Sequence, residues 1–239
     1  MSNNPKILIT GGSRGIGFAI AKNLAARSTT LFLSARGAEA LTAAADELQK
    51  QAGCTVHTLS VDHTQATNAA AKTSTWVRSK TDSLDMIVLN AGYYVEGSLA
   101  EVSEISFTEN LNVNFVVNHF LVQQLLPLLR KGVNPKIVII GSTAAYEAYA
   151  GLPTYGLAKW ALRGYAVNLR AELMSENIGV IFIAPGGTLT DMWKGEDIQQ
   201  GRLLDPNDIG KLVSALVPLS PQAVVEELIV RPMKGDLHE

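Results

Sequence analysis

A single cysteine, Cys54, in 239 residues excludes an internal disulfide and suits a reducing cytoplasm. No apolar run approaches the ~20 residues that a membrane-spanning helix needs. Met1 to Pro5 carry no apolar core of the kind a secretory leader has, so no membrane partner is expected. Neither charge dominates: 20 Lys and Arg stand against 22 Asp and Glu, a formal net charge of -2, with no long basic run. A nucleic-acid footprint is therefore not expected. The histidines, His57, His63, His119 and His238, show no metal-ligand spacing among themselves or with Cys54, so no metal is expected. Low-complexity linkers, composition shifts and repeats are also missing. What remains is a chain with 47% hydrophobic and 18% charged residues, enough apolar surface for the core of one domain spanning residues 1–239.

Short apolar runs alternate with longer amphipathic ones. Lys6–Thr10, Thr30–Ala35, Thr55–Ser60, Met86–Leu89, Lys136–Ile140, Gly179–Ile183 and Leu228–Val230 read as strands. Ile16–Ala26, Ala38–Ala52, Gln65–Lys80, Phe107–Leu129, Tyr155–Glu176 and Pro206–Val217 read as helices, the last opened by an Asp205 cap and a proline in the first turn. Continuously apolar strands are those of a parallel sheet covered on both faces. The expected fold is α/β, a single-domain Rossmann fold with a doubly wound, parallel seven-stranded sheet and helices on both faces.

The first strand runs into Gly11-Gly-Ser13-Arg14-Gly15-Ile16-Gly17 and then into a helix. Gly11 permits a tight turn, Gly15 lets the backbone approach a pyrophosphate, and Gly17 allows the helix to pack closely. The helix N-terminus offers free N–H groups to phosphate. NAD binders place an acid after the second strand for the ribose 2′-hydroxyl. This chain reads Ser34-Ala35-Arg36 there, with no acid before Glu39. Arg36 and Arg14 suit a 2′-phosphate, with Ser13 adding a hydroxyl, so NADP(H) is the expected cofactor. Asp62 after the third strand suits the adenine edge. Asn90-Ala91-Gly92 after the fourth suits the adenosine side, although Asn90 reads equally well as a turn residue.

Tyr155 and Lys159 lie four positions apart, hence on one helix face, and Ser142 follows the fifth strand at the sheet edge where open α/β folds bind ligands. An ammonium beside a phenol of reference pKa about 10 favours its phenolate and brings it toward working pH. Lys159 is also placed to bind the nicotinamide ribose. Ser142 can donate to a substrate carbonyl. The set fits reduction of a ketone or aldehyde, with Tyr155 as proton donor.

These residues resemble the short-chain dehydrogenase/reductase family, and the resemblance covers nearly the whole chain. Thr10–Gly17 is similar to the family's T-G-x-x-x-G-x-G, Asn90–Gly92 to its N-A-G, and Ser142, Tyr155 and Lys159 to its Ser–Tyr–Lys set. The resemblance implies that Asn114 holds a water in the proton relay behind the lysine. It also implies that Pro185, Gly186, Thr188 and Thr190 contact the nicotinamide side, and that relatives pair through their long helices into homodimers or homotetramers. An excess of apolar residues at Phe115, Phe120, Leu121, Trp160, Leu162 and Tyr165 agrees with such pairing.

Departures bear on the substrate. The chain ends Glu227-Leu-Ile-Val-Arg-Pro232 where many 3-oxoacyl carrier-protein reductases have V-D-G-G, and Glu176 stands where they often have arginine. The chain is more similar to the branch of broad carbonyl, 3-hydroxy-acid and sepiapterin-like reductases. A 3-oxoacyl-thioester reductase and a catalytically silent NADP-binding regulator remain as alternatives. An epimerase would need a larger C-terminal substrate domain. Tyr93, Tyr94, Tyr146, Tyr149 and Trp193 fall in segments converging on one sheet edge, where aromatic walls suit a compact apolar carbonyl compound. Lys194 and Arg202 are the only cations soon after Thr190, which counts against a multiply charged substrate.

Overall fold

The computed structural model describes residues 4–149 and 151–236, so His238 lies outside the described residues. Strands β1 (Lys6–Thr10), β2 (Thr30–Ala35), β3 (Thr55–Ser60), β4 (Met86–Leu89), β5 (Lys136–Ile140), β6 (Gly179–Pro185) and β7 (Glu227–Val230) form one parallel sheet in the order β3-β2-β1-β4-β5-β6-β7. The order reverses between β1 and β4, and open sheets of this kind bind ligands beyond their strand ends at such a point.

Among the described residues, seven α-helices connect the strands: α1 (Gly15–Ala25), α2 (Ala38–Leu48), α3 (Ala66–Arg78), α4 (Glu104–Leu111), α5 (Val117–Leu129), α6 (Pro153–Leu173) and α7 (Pro206–Leu216). Strand residues alternate between two cores. Ile7 and Ile9 join Ile20 and Leu24 of α1, Leu41 of α2 and Ile209 of α7 on one face. Leu8 and Phe32 join Val77 of α3, Leu121 of α5 and Leu162 of α6 on the other. Both faces of β1 are covered, which is why its residues show no polar alternation.

β3 departs from the continuously apolar expectation. It sits at the sheet edge, alternates exposed with covered positions, and of its residues only Val56 is fully buried. The expected helix Phe107–Leu129 begins earlier, at Glu104, and is interrupted by a π-helical turn, Asn112–Val116. Side-chain amides explain the break: Asn114 donates to Asn110 O at 2.9 Å and Asn118 to Asn114 O at 2.9 Å, giving backbone oxygens partners from side chains. α6 begins at Pro153, two residues before the expected start, because proline is tolerated in a first turn. α2 ends at Leu48, short of the expected Ala52, while β6 runs on to Pro185.

Candidate active site

The glycine loop after β1 is fastened to the end of β4. Asn90 donates its side-chain amide to Thr10 O (2.9 Å) and Gly11 O (3.2 Å). Thr10 Oγ1 in turn accepts the backbone N–H of Asn90 (2.9 Å) and Ala91 (3.0 Å). Asn90 and Ala91 therefore shape the cradle from behind, and Gly92 lies exposed beyond them. A Cβ on Gly17 would fall 2.2 Å from Gly11 O, and Gly11 and Gly15 have φ of +65° and +54°. No side chain fits at Gly17, and glycine takes the left-handed conformation at the other two without strain. Ser13 and Ile16 are half-buried along the loop. This cradle, narrowed to backbone at the head of α1, fits a pyrophosphate.

Beside it, Arg36, Ser60, Asp62, Gln65, Asn68 and Lys72 line a polar cavity of about 240 Å³. The Asp62 carboxyl is held below its ordinary range, chiefly by the backbone N–H of Thr64 at 3.0 Å. Arg14, expected beside Arg36, instead pairs with Asp191 at 2.9 Å, on the β6 side of the loop. Both partners are largely exposed, at 70% and 59%, so the pair contributes less than about 1 kcal/mol and a phosphate competes with it easily. Lys72 is the second cation that the structure brings to Arg36.

At the end of β5, Ser142 accepts Ala144 N–H at 3.2 Å and lies near enough to the Tyr155 phenol to pull its pKa down. Lys159 is 3% exposed, donates to Ile140 O at 3.2 Å and lies 5.3 Å from the centre of the Tyr155 ring. The three residues are thus brought together. Their electrostatics differ from expectation. Burial pushes the Tyr155 phenol up, with Ser142 pulling it partly back, and burial lowers Lys159 to about 8. An ammonium that is itself destabilised by burial does not outweigh the desolvation of the phenol in the protein alone.

Asn114 is fully buried and holds the chain after β4, donating to Tyr93 O at 2.6 Å and accepting Tyr93 N–H at 3.3 Å. On the far side, Pro185 ends β6, Gly186 N–H donates to Val230 O at 2.8 Å, and the Thr188 hydroxyl donates to Gly186 O at 2.9 Å. The Thr190 methyl lies 3.2 Å from where a Cβ on Gly15 would be, so the loops after β1 and β6 meet across the sheet edge.

The aromatic residues divide. Tyr93 and Trp193 are half-buried near these loops, and Trp193 packs by Gly187. Tyr94 is bound to Glu96, which is the first cause of its rise to about 12. Tyr146 donates to Glu227 at 2.8 Å beneath the Arg163 guanidinium and leans on the Phe182 ring, turned into the fold rather than free to line a cleft. The Tyr149 hydroxyl bonds to Thr143 (2.9 Å) and Asp236 (2.6 Å). Arg202 donates to the carbonyls of Gly235 and Asp236, so it is not an open cation. His57 stacks on Phe32, and burial lowers His63 to about 4. Among the described residues, no group of three or more His, Cys, Asp or Glu gathers as for a metal, and no helix is long and apolar enough to cross a membrane.

The sequence profile of the short chain dehydrogenase family matches residues 5–201. This chain belongs to the short-chain dehydrogenase family. It is 30% identical over 241 residues to the sepiapterin reductase of Chlorobaculum tepidum, covering 98% of both chains. It is 30% identical over 218 residues to a 3-oxoacyl-(acyl-carrier-protein) reductase of Chlamydia trachomatis, covering 87% of this chain and 88% of that one. Among solved structures, an alcohol dehydrogenase from Thermococcus sibiricus complexed with 5-hydroxy-NADP superposes with a TM-score of 0.88 at 27% identity, over 96% of this chain and 97% of that one. Within the family member described here, Lys72, Asp191, Asn118 and Asp236 escaped the reading by motif. Lys72 carried one available signal, its place one turn after Asn68 on the helix that follows Asp62.

Proposed function

We propose that this short-chain dehydrogenase is an NADPH-dependent reductase of a ketone or aldehyde, reversible toward the alcohol, acting as a cytoplasmic homodimer or homotetramer. The observation that carries it is the meeting of Ser142, Tyr155 and Lys159 beside the glycine cradle. The hydride is the chemistry that a bound nicotinamide contributes. Gly11, Ser13, Gly15, Ile16 and Gly17 hold its pyrophosphate, with Arg36, Lys72 and a released Arg14 on the 2′-phosphate and Asp62 on the adenine edge. Asn90, Ala91 and Gly92 shape the adenosine side; Pro185, Gly186, Thr188 and Thr190 hold the nicotinamide end. Ser142 donates to the substrate oxygen while Tyr155 delivers its phenolic proton to the alkoxide. Lys159 binds the ribose and steadies the phenolate that remains, and Asn114 with its backbone oxygen supports the water that resupplies the proton. Tyr93, Tyr149 and Trp193 border the substrate. The 5-hydroxy-NADP and NADP bound in two solved structures of similar fold support the cofactor reading.

A neutral, compact carbonyl compound is favoured because, of the two cations between Thr190 and α7, Arg202 is held by the carbonyls of Gly235 and Asp236, and Lys194 makes no ion pair among the described residues. The second reading, a 3-oxoacyl thioester, has the Chlamydia relative in its favour. Against it, Glu176 is tied bidentately to Arg130 at 2.6 and 2.8 Å. A panel of ketones, aldehydes, diketones and oxoacyl thioesters with NADPH, followed at the nicotinamide absorbance, decides. Reduction of simple carbonyls by the native chain, lost in Tyr155→Phe with cofactor binding intact, is expected. Turnover of thioesters alone would overturn the substrate class, and near-native turnover by Tyr155→Phe would overturn the mechanism.

Cofactor choice has its own test. Arg36→Ala is expected to lose affinity for NADPH by about 1.5–3 kcal/mol while NADH is little affected, as for deletion of a hydrogen bond to a charged group. An unchanged ratio of the two KM values would exclude Arg36 from the 2′-phosphate.

A further inference from the structure

The carboxylate of Asp236, beyond β7, is buried, at 4% exposure. Such burial is costly unless the charge is paired, and Arg231 pairs with it while also reaching Glu147. Asp236 then meets two loops at three points. Its Oδ2 accepts the Tyr149 hydroxyl at 2.6 Å, which ties it to the loop after Ser142. Its backbone oxygen accepts Arg202 Nη2 at 2.7 Å, which ties it to the loop between β6 and α7. Its Oδ1 lies so close to Gly186 that a Cβ there would come within 2.5 Å. The loop after β6 is closed at its base by Leu189 N–H on Leu204 O and Leu204 N–H on Gly187 O, both 2.9 Å. Arg202 stands next to that base, so a single carboxylate-bearing residue ties down both loops that flank Ser142 and Tyr155.

Neither hydrophobic core requires this arrangement, since Tyr149, Arg202 and Asp236 belong to neither. We propose that Asp236 is a positioning residue for the substrate side of the cleft. Through Tyr149 and Arg202 it fixes the spacing between the loop after Ser142 and the loop after β6, and thereby selects the size of carbonyl compound that fits. With its hydroxyl held by Asp236 and Thr143, Tyr149 presents its ring in one orientation and contributes shape rather than a free hydroxyl. The proposal rests on the reading of Ser142 and Tyr155 as the carbonyl site.

Two variants test it, Asp236→Asn, which keeps the shape and removes the charge, and Tyr149→Phe, which leaves the Arg231 pair intact. Each variant removes a bond that holds the segment whose Gly235 and Asp236 carbonyls grip Arg202, so in the cofactor-free protein tryptic cleavage after Lys194, followed by mass spectrometry, is expected to accelerate about tenfold in both, as when a local opening is eased by roughly one charge-assisted hydrogen bond. For the carbonyl substrate, KM is expected to rise about tenfold with kcat and NADPH affinity within about twofold, the pattern of lost uniform substrate binding. Unchanged cleavage and unchanged KM in both variants would overturn the proposal. Should Asp236→Asn fail to fold, Tyr149→Phe decides alone by the same two readings. Should the native chain reduce no carbonyl, the catalytic reading fails while the cleavage rates still decide whether the tail ties the loops.

Discussion

At the scale of single residues, Lys159 departs far from its solution behaviour. Its ammonium sits among buried groups with Ile140 O at 3.2 Å as its hydrogen-bond acceptor, and burial brings it to about 8 from 10.5. The folded chain thus binds fewer protons than the unfolded chain between those values, and stability rises with pH across that window. The native chain compared with Lys159→Met should gain on the order of 2 kcal/mol of relative stability between pH 7 and pH 10 by this linkage. Urea unfolding of both at the two pH values measures it, and a difference independent of pH would show that the group keeps its ordinary titration. The same burial has a functional side. A lysine that titrates near 8 responds to an anionic neighbour, so a phenolate formed at Tyr155 favours its charged form. The motif spacing placed Tyr155 and Lys159 on one helix face, but the sign of the Tyr155 shift depends on how much water surrounds the pair. That depends on packing from β5 and Ser142, which no local pattern encodes.

At the scale of elements, the strands were legible as short runs set between longer amphipathic ones, five of them with the expected bounds, and the glycine loop because its positions are dictated by backbone geometry. Gly17 shows how tightly. Gly17→Ala puts a methyl 2.2 Å from Gly11 O and 2.5 Å from Asn90 Nδ2, so the loop and the head of α1 must separate. A loss of about 1–3 kcal/mol is expected, as for overpacking in a well-filled site. Cofactor affinity should fall with it, because the N–H groups that face the phosphates are displaced together. Denaturant midpoints and a fluorescence titration with NADPH check both, and native-like values for each would mean that the helix slides without cost. The π turn at Asn112–Val116 was illegible for the opposite reason. A helical periodicity continues through it, and only the amides of Asn114 and Asn118, finding backbone oxygens in three dimensions, reveal the break. Arg14 escaped likewise: its partner Asp191 is 177 positions away, beyond any spacing rule.

At the scale of the whole molecule, the apolar surplus on the long helices resolves differently from the expectation. Leu121 and Leu162 are core residues, and Phe115, Phe120 and Tyr165 pack against that core, with Phe115 edge-on to Tyr165 at 5.9 Å. Of the six, Trp160 alone stays open to solvent, at 50% exposure. It is joined on α6 by Leu157 and Val167, three residues before it and seven after, which share a helix face by their spacing. Gly164 lies between them, and a Cβ there would meet nothing within 4 Å, leaving a notch on that face. An apolar helix stripe with a notch suits the same stripe of a second copy related by a two-fold axis, each Trp160 covering the other helix. This is the assembly we propose, and Trp160→Glu tests it, because a charge placed in a desolvated patch opposes pairing while an exposed position in the monomer tolerates it. The native chain is expected to scatter light as a dimer or tetramer at micromolar concentration. The variant is expected to shift toward the monomer with its circular dichroism unchanged. A native monomer at that concentration, or an assembly indifferent to Trp160→Glu, would place the pairing surface elsewhere or exclude it, and the stripe on α6 would then be solvent-facing surface only.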